Sequence, residues 1–396
     1  MMGQRRVAGA ALAAQAVSFG LNFSAGVFFA PVSGAYGLSA TTLAVAAGLA
    51  TAVTGPAQPV VGALVDRLGA RLVLLAGLTL ISTGYVVLAA VREPWQFVAA
   101  YVVFGGLGFA ASSSLVVTAL IGRSAGDRVG AALARAAVGI NLGQVLVPWA
   151  ATALFGPVGV RGAYLALGLT GLLAMAVLAA VLPREGRPVP EPSGAVRLRG
   201  KGRLLASFGL HSATLYVLIL LLPKYATELG WTAAEAGRLV AAGAVAAAIS
   251  QLAVARLLRR FEPETLLRAV HTVRAVALAL AATATGPLPL IAAAVVFGTA
   301  SFTVIPLTMT LLTRDLGGAR LGRGLAPAWV IHQVSAGLAL GVAAAVHAAT
   351  GSYRGYFALG VALSLTAAIL AGPVPAVRTS LTALTTRWIY RKENAR

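Results

Sequence analysis

Uninterrupted runs of apolar residues recur along the chain, and short polar connections separate them. Several runs reach about 18–20 residues, which is enough to cross a hydrocarbon core roughly 30 Å thick as an α-helix. Stretches such as "LILLLP" and "AAGAVAAAI" lack the alternation that the ~10-residue strands of a membrane β-barrel require. The pattern therefore predicts an all-α polytopic membrane protein. Its twelve predicted spans are approximately residues 7–31, 40–64, 71–91, 95–121, 129–150, 160–182, 204–224, 233–255, 264–284, 287–313, 323–348 and 354–377.

The first span follows a short basic N-terminus, so it could also be interpreted as a signal peptide. Its apolar run is too long for a signal peptide, and a second span follows closely. We therefore predict that it is a retained transmembrane helix.

One polar connection is much longer than the others, "PREGRPVPEPSGAVRLRGKGR" at residues 183–203. Its content of Pro, Gly and Arg is typical of a solvated linker. The linker divides the spans six and six, and parallel halves with a substrate site between them are one common transporter plan. The predicted domains are an N-terminal half, the linker, a C-terminal half and a basic tail. Their bounds are 1–182, 183–203, 204–378 and 379–396.

Composition and charge agree with a membrane protein, since 59% of the residues are hydrophobic and only 11% are charged, against about 25% charged in soluble proteins. The net charge of +20 could indicate nucleic-acid binding, but the basic residues lie at span ends rather than on one domain face. Of the 31 Lys and Arg residues, 24 fall in the N-terminus, the even-to-odd connections, the linker and the tail. This bias predicts a multi-pass protein of the cell (inner) membrane with both termini in the cytoplasm.

No feature of the chain predicts a cofactor, a metal site or an enzyme. The sequence has no cysteine, which excludes disulfides and thiolate ligands. It has no Walker loop, metal-spaced His set or nucleophile elbow. We expect a small-molecule substrate and the lipid bilayer as partners, no nucleic acid, and a monomer. The tail "RWIYRKENAR" either rests against anionic lipid or is solvated.

The connection after the second span carries an unusual combination of residues, "GALVDRLGAR" at 62–71. The equivalent connection after the eighth span, "AVARLLRRFE" at 253–262, keeps basic residues but has neither the acid nor the second glycine. The positions of the two stretches support an internal repeat, whereas their chemistry differs.

This chain resembles the major facilitator superfamily, because "GALVDRLGAR" matches the family signature G-x-L-x-D-R-x-G-x-R at every defined position. Span number, linker position and charge bias extend the resemblance over essentially the whole chain. The resemblance implies the major facilitator fold, with two six-helix halves that work by alternating access. It also implies a cytoplasmic latch whose acid faces the N-terminus of the eleventh helix, where the helix dipole favours negative charge. The implied latch residues are Gly62, Asp66, Arg67, Gly69 and Arg71.

Within the superfamily the chain looks most like the monocarboxylate and oxalate/formate transporter branch. The similar stretches are "GVFFAPVSGAYGLS", "TGPAQPVVGALVDRLGAR", "LLPKYATELGWTAAEAG" and "HAATGSYRGYF". Members of that branch often carry a cation in the eighth span, where this chain has Gln251. The resemblance implies a secondary transporter for a small organic anion, such as a monocarboxylate, by proton symport or anion exchange.

Polar side chains inside the spans are the candidates for substrate binding and proton coupling. All eleven acids fall in loops or at span ends, so histidine is the candidate proton carrier, with His332 and His211 the two positions predicted. In the superfamily, helices 1, 2, 4, 5, 7, 8, 10 and 11 line the path. Each polar residue could instead form a hydrogen bond that packs two helices. The candidate substrate-binding residues are Asn22, Ser24, Gln58, Asn141, Gln144, His211, Gln251, His332 and Gln333.

Four other charged or titratable residues lie within or near spans. His271 is predicted to reach the lipid head groups by snorkelling, and His347 is predicted to lie at the outer interface. Arg135 either adds positive potential to the path or snorkels to the cytoplasm. Arg274 also lies within a span, and the sequence assigns it no role.

Two other functions stay open at the level of sequence. Efflux of an amphipathic drug or metabolite would suit a cavity of neutral amides, aromatic and aliphatic side chains. A membrane sensor without transport activity is the alternative from a different class.

Overall fold

The computed structural model describes residues 2–38, 40–124, 128–184, 200–314, 316 and 320–372, and this part of the chain contains fifteen α-helices, one π-helix and no strand. The helices up to the linker are α1 (Met2–Phe23), α2 (Ala25–Tyr36), α3 (Ala40–Leu68), α4 (Ala70–Ala90), α5 (Pro94–Ala100), the π-helix (Tyr101–Leu107), α6 (Gly108–Ser112), α7 (Ser114–Ser124) and α8 (Val129–Val181). Those after the linker are α9 (Gly202–Glu228), α10 (Ala233–Leu257), α11 (Pro263–Thr283), α12 (Pro287–Ala300), α13 (Val304–Thr313), α14 (Leu321–Thr350) and α15 (Arg354–Ala371).

Each predicted span coincides with one helix, with consecutive helical pieces or with part of one long helix. The spans predicted at 129–150 and 160–182 form one helix of 53 residues, α8, which bends at Gly159 (φ 67°). By length and hydropathy, nine helical segments of the described chain could cross a membrane, and α8 is counted once among them. The second pass of α8 and the passes at α1–α2 and α9 complete the twelve. The prediction of an all-α polytopic membrane protein is therefore confirmed.

Two passes are interrupted at hydroxyl residues. The fourth pass contains the π-helix and a break at Ser113, and the tenth pass breaks between α12 and α13. Near these breaks, Ser112 donates a hydrogen bond to the carbonyl of Gly108 (2.8 Å), and Ser301 donates one to the carbonyl of Phe297 (2.6 Å). Backbone groups that a break frees inside a membrane must find partners within the protein. At the break in the tenth pass, the freed carbonyls of Ala300 and Ser301 accept hydrogen bonds from a buried arginine, Arg274.

The two predicted halves meet where α3 packs against α14 and where α8 packs against α10. Glycine allows the closest of these contacts, because a Cβ atom on Gly62 would lie only 2.5 Å from the carbonyl oxygen of Gly322. The predicted domain bounds stay a prediction. Most of the linker, at 185–199, and the tail from residue 373 lie outside the described residues.

A similar contact is repeated within each half, at the end opposite the "GALVDRLGAR" connection. Tyr36 donates to a carbonyl at the end of α4 (2.8 Å), and Arg161 donates to two further carbonyls there while lying 4.1 Å from the Tyr36 ring. In the second half, Tyr225 donates to Ala284 at the end of α11 (3.2 Å). Arg354 donates to that carbonyl (2.6 Å) and to the Tyr225 hydroxyl (2.7 Å). Each half thus ties its first helix to its third and sixth helices with one tyrosine and one arginine.

Candidate substrate and proton site

Four basic side chains converge inside the C-terminal half. They come from three helices, since His211 lies on α9, His271 and Arg274 on α11, and His332 on α14. All four are at most 1% exposed. Ionisable groups are rare in membrane spans and normally mark a pathway or a partner, so this imidazole–guanidinium cluster (His211, His271, Arg274 and His332) is the candidate functional site.

Arg274 reaches from α11 to the break in the tenth pass. Its Nη2 donates to the carbonyls of Ala300 (2.5 Å) and Ser301 (2.8 Å), and its Cζ lies 5.1 Å from the centre of the Phe297 ring. Its Nη1 lies 3.4 Å from Thr214 Oγ1 on α9. A cation is favoured at the C-terminal end of a helix, where the last carbonyls lack partners. Arg274 therefore holds the break in the tenth pass and ties it to the seventh and ninth passes.

The imidazole rings form a row beside this guanidinium. The ring centres of His332 and His211 are 5.7 Å apart, and those of His211 and His271 are 6.3 Å apart. Phe208 lies 4.7 Å from His332 and 5.8 Å from His211, so an aromatic wall covers both rings. Neither ring nitrogen of His211 has a hydrogen-bond partner within the described chain. His211 therefore has both nitrogens available for a water molecule, a ligand or a proton.

His332 and His271, at the two ends of this row, are oriented by neighbouring polar groups. His332 Nδ1 lies 3.1 Å from Gln333 Oε1. His271 Nε2 lies 3.1 Å from the hydroxyl of Ser207, which donates to the carbonyl of Ala367 (2.9 Å). These contacts fix the ring orientations, as second partners of functional histidines commonly do.

No described carboxylate pairs with the cluster. The acids within the described ranges lie at helix ends or in connections, and Arg274 makes its contacts with carbonyl and hydroxyl oxygens instead. The positive charge of Arg274 is thus solvated by dipoles but is not neutralised. A buried charge of this kind is costly unless a counter-charge arrives, which makes the cluster suited to an anionic ligand.

Three of the predicted amides are buried with unused hydrogen-bonding capacity. Gln58, Asn141 and Gln251 are each at most 2% exposed. In the described structure, Gln58 Oε1 and both polar atoms of the Asn141 and Gln251 side chains have no hydrogen-bond partner. Buried amides normally have partners. These three lie on α3, α8 and α10, the helices through which the halves meet, and their free groups are available to a ligand.

The remaining predicted residues have different surroundings. Ser24 shares a hydrogen bond with the hydroxyl of Tyr85 (2.7 Å) and donates to the carbonyl of Leu21, so its polar group serves helix packing. Asn22 is partly exposed and lines a small cavity beside Tyr85. Gln144 and Gln333 are also partly exposed. Of this group, only Gln333 contacts the imidazole–guanidinium cluster.

The structure corrects one sequence interpretation and locates two further basic residues. His271 is completely buried, so the prediction that it snorkels to head groups was wrong. Arg135 is exposed and is not a member of the cluster. Arg274, which had no assigned role, is the residue that organises the site. The signal that could have identified it is an arginine in an apolar span, three residues after a histidine.

Asp66 lies near the end of α3 and faces the first turn of α14. Its Oδ1 accepts a hydrogen bond from the amide of Gly322 (2.8 Å), and its Oδ2 accepts one from the amide of Arg323 (2.9 Å). Arg123 Nη2 lies 3.3 Å from the same carboxylate. Negative charge is stabilised at a helix N-terminus by its unpaired amides and its dipole. This side chain therefore joins the first half to the second at the end predicted to be cytoplasmic.

The other residues of the signature have separate structural tasks. Gly69 has φ 92° and allows α3 to turn directly into α4. Arg71 donates to two carbonyls at the C-terminal end of α8, at 3.2 and 2.6 Å. Arg67 is exposed. Gly62 and the acid bridge the halves, whereas Gly69 and Arg71 organise the first half; the latch function of the set stays a prediction.

Twelve helical passes in which an acid on one half accepts hydrogen bonds from a helix N-terminus on the other are typical of a membrane transporter. The chain belongs to the Major Facilitator Superfamily, whose family profile matches residues 11–340, and is therefore a transporter rather than an enzyme. Among curated protein sequences, none matches significantly.

Solved structures of the same fold cover almost the whole chain. The human organic anion transporter MFSD10 (TETRAN) aligns with a TM-score of 0.77 and 18% identity, over 93% of this chain and 99% of that one. The proton:xylose symporter XylE, bound to 6-bromo-6-deoxy-D-glucose, aligns with a TM-score of 0.72 and 16% identity, over 93% and 95% of the two chains. The fucose:proton symporter FucP of E. coli aligns with a TM-score of 0.71 and 15% identity, over 91% and 97%. At these identities the similarity establishes the fold alone.

Proposed function

We propose that this protein is a secondary transporter for a small organic anion, such as a monocarboxylate, by proton symport or anion exchange. The single observation that carries the proposal is the buried guanidinium of Arg274, which sits beside three imidazoles and pairs with no described carboxylate. An anion is the ligand that would neutralise this charge. The organic anion transporter among the similar structures agrees in substrate class, although that similarity concerns the fold.

The proposed cycle is alternating access between the halves 1–182 and 204–378, with both termini on the cytoplasmic side of a cell (inner) membrane. The basic residues of the N-terminus, linker and tail support this orientation. In the cycle, the contact between Asp66 and α14 holds the cytoplasmic ends together while the opposite side is open.

Coupling between anion and proton follows from the charge of the cluster. Protonation of His332 or His211 would add a second positive charge near Arg274, which is unfavourable at low dielectric. A bound anion removes this penalty, so the anion and the proton bind more favourably together than either does alone. In an exchanger, a second anion would replace the proton in the return step.

The test of this function is counterflow in proteoliposomes that contain the purified full-length protein. We expect counterflow with labelled monocarboxylates and none with sugars or amphipathic dyes. Counterflow restricted to amphipathic compounds would indicate an efflux transporter, and counterflow restricted to sugars would contradict the proposed anion site. A ligand that raises the melting temperature but shows no flux would indicate a sensor.

Replacement of His332 by glutamine should flatten the pH dependence of net uptake. If His332 carries the proton, wild-type anion uptake rises as the external pH falls, because the proton gradient drives symport. Glutamine keeps a polar side chain but does not titrate, so uptake in His332→Gln should be nearly independent of pH, while counterflow persists. His347→Gln is the matched control, since His347 lies at the outer end of α14 beside Glu228 (3.1 Å). An unchanged pH profile in His332→Gln would assign the proton to another group.

A further inference from the structure

Three buried amides lie in the contacts through which the two halves meet, and we refer to Gln58, Asn141 and Gln251 as the seam amides. Asn141 on α8 and Gln251 on α10 are 2% and 0% exposed. Neither polar atom of either side chain has a hydrogen-bond partner within the described chain. Since buried amides normally have partners, these two side chains are candidates for contact with a ligand.

Helix geometry places Asn141 and Gln251 on the facing sides of α8 and α10. A Cβ atom on Gly130 of α8 would lie 3.2 Å from Leu258 at the end of α10, which marks the contact between these helices. Asn141 follows Gly130 by about three helical turns, and Gln251 precedes Leu258 by about two, so each amide shares a face with the contact residue of its own helix. Because α8 begins at this contact and α10 ends there, the two amides lie within roughly 6 Å of each other along the helix axes.

The contact between α8 and α10 is closed on one side of these amides and opens on the other. Towards the predicted cytoplasmic end, Ala134 on this face of α8 and Ala255 on this face of α10 are buried. In the opposite direction, Val145 is 37% exposed and Ala244 is partly exposed. The lipid-facing side of α8 is a different one, since Leu146, which is 53% exposed, lies about 140° around the helix from the amide. The amides therefore lie where the buried contact gives way to exposed surface between the halves.

Gln58 has the equivalent place in the contact between α3 and α14. A Cβ atom on Gly55 would lie 3.3 Å from Gln333, and one on Gly62 would lie 2.5 Å from Gly322, so both glycines face α14. Gln58 lies between them on the same face and is 1% exposed, and its Oε1 has no hydrogen-bond partner in the described structure. Gly322 is buried whereas Gln333 is partly exposed. Both contacts between the halves thus carry a buried amide at the point where they open.

The break in the tenth pass connects the seam amides to the imidazole–guanidinium cluster. Ser250, which is next to Gln251, donates a hydrogen bond to the carbonyl of Thr299 (2.6 Å). Arg274 donates to the carbonyl of the following residue, Ala300 (2.5 Å). The amide and the guanidinium therefore approach the same end of α12, in one region of the C-terminal half.

The seam amides and the cluster favour different groups on a ligand. An amide side chain is uncharged and has one acceptor oxygen and two N–H donors. A carboxylate only accepts hydrogen bonds, so it would leave the amide oxygens of Asn141 and Gln251 unpaired. A hydroxyl group both donates and accepts, so it can pair with either atom of an amide.

We propose that the seam amides bind hydroxyl groups of the transported anion, so that the cargo is a hydroxycarboxylate rather than a carboxylate with an apolar chain. This proposal rests on the proposed function, because the carboxylate of the same cargo is held by Arg274 and its imidazole neighbours. A site that pairs with the hydroxyl groups of its substrate discriminates strongly against an analogue without them, since its buried polar groups are then left unpaired. The seam amides thus determine specificity, whereas the cluster attracts the charge.

Counterflow in proteoliposomes that contain the purified full-length protein tests the proposal. The probes are two pairs of acids with equal numbers of carbon atoms, glycerate with propionate and gluconate with hexanoate, and the rates in protein-free liposomes are subtracted. We expect the wild type to carry the hydroxy acid of each pair at least about tenfold faster than its partner. In the double variant Asn141→Leu/Gln251→Met this preference should fall by about tenfold or more, because the new side chains have similar volumes but form no hydrogen bonds.

Gln15→Met is the matched control, since Gln15 is a buried amide that accepts a hydrogen bond from Ser114 within the first half (3.0 Å). This variant should keep the preference for hydroxy acids but have a lower melting temperature. The melting temperature of Asn141→Leu/Gln251→Met should stay the same or rise, because the replaced groups are unpaired.

Two results would overturn the proposal and leave an anion transporter in place. One is equal counterflow of both acids of each pair in the wild type, a comparison that needs no variant. The other is an unchanged preference with a lowered melting temperature in the double variant, which would assign the amides to helix packing. Absence of counterflow with all four acids would contradict the proposed function, and this proposal with it.

Discussion

Replacement of Arg274 by glutamine is expected to lower anion counterflow by roughly two orders of magnitude or more. The substitution removes the only fully buried Lys or Arg side chain of the described chain and leaves the carbonyls of Ala300 and Ser301 without their charged donor. Each buried polar group that loses its partner costs about 1–3 kcal/mol, and about 1.4 kcal/mol corresponds to a factor of ten. The measurement is the initial rate of counterflow per folded protein, with folding checked by gel filtration and melting temperature.

A lysine at the same position separates the two roles of Arg274. Lysine keeps the positive charge but lacks the fork that donates to two carbonyls at once. If the charge attracts the substrate, Arg274→Lys should retain measurable counterflow with a weakened apparent affinity, while its melting temperature falls as in the glutamine variant. Arg268→Gln is the matched control, since Arg268 is exposed on the same helix. Transport at the wild-type rate in Arg274→Gln would remove the cluster from the proposed mechanism.

The sequence predicts the passes but not the site, and Arg274 shows why. Long apolar runs specify membrane helices because every backbone group in the hydrocarbon must bond within its own segment. The partners of Arg274 are carbonyls that become available only where the tenth pass breaks at Ser301–Thr303. That break lies before Pro306 and in a stretch with no polar run. The hydrogen-bond partners of Arg274 therefore depend on irregular backbone in a different membrane pass. The hydrophobic periodicity of the sequence does not show where such a break occurs.

The internal repeat was partly visible in the sequence. The visible part is the pair of connections at the predicted cytoplasmic end, where the two halves carry different residues. The two connections compared at the predicted cytoplasmic end share only an alanine and basic residues. The opposite end carries the dipeptide Arg-Gly at 161–162 and again at 354–355, each with a tyrosine partner at the end of the first helix of its half. These tyrosines lie far from the arginines in the sequence, so only the fold shows that the two sets make equivalent contacts.

The geometry of Asp66 could be anticipated because its partners are backbone amides. Any helix N-terminus presents free N–H groups, so the family signature was enough to suggest where the acid points. The structure adds that both oxygens are used, one for each of two successive amides. It also adds the direct contact of Gly62 with Gly322, which brings these amides within reach.

Replacement of Asp66 by asparagine is accordingly expected to open the cytoplasmic side and to cripple uptake while the protein stays folded in the membrane. Asparagine has one acceptor and one donor where aspartate has two acceptors, so its NH₂ group would face a backbone N–H. It also removes the negative charge from the N-terminus of α14 and from Arg123 (3.3 Å). Hydrogen bonds to charged groups contribute about 1.5–3 kcal/mol. The balance between the two access states should therefore shift at least about tenfold towards the open cytoplasmic state.

The absence of native cysteine makes this shift directly measurable. Ala326 is buried, one turn after Gly322 on α14, so it lies on the same side of the helix as Gly322, and Ala326→Cys introduces a single reactive position there. Thiol labelling from the cytoplasmic side should be slow in Ala326→Cys alone and at least about tenfold faster when Asp66→Asn is added. Glu264→Gln is the control, because Glu264 pairs with Arg314 (3.4 Å) within the second half only. Unchanged labelling and normal uptake in the Asp66 variant would show that the carboxylate does not act as a latch.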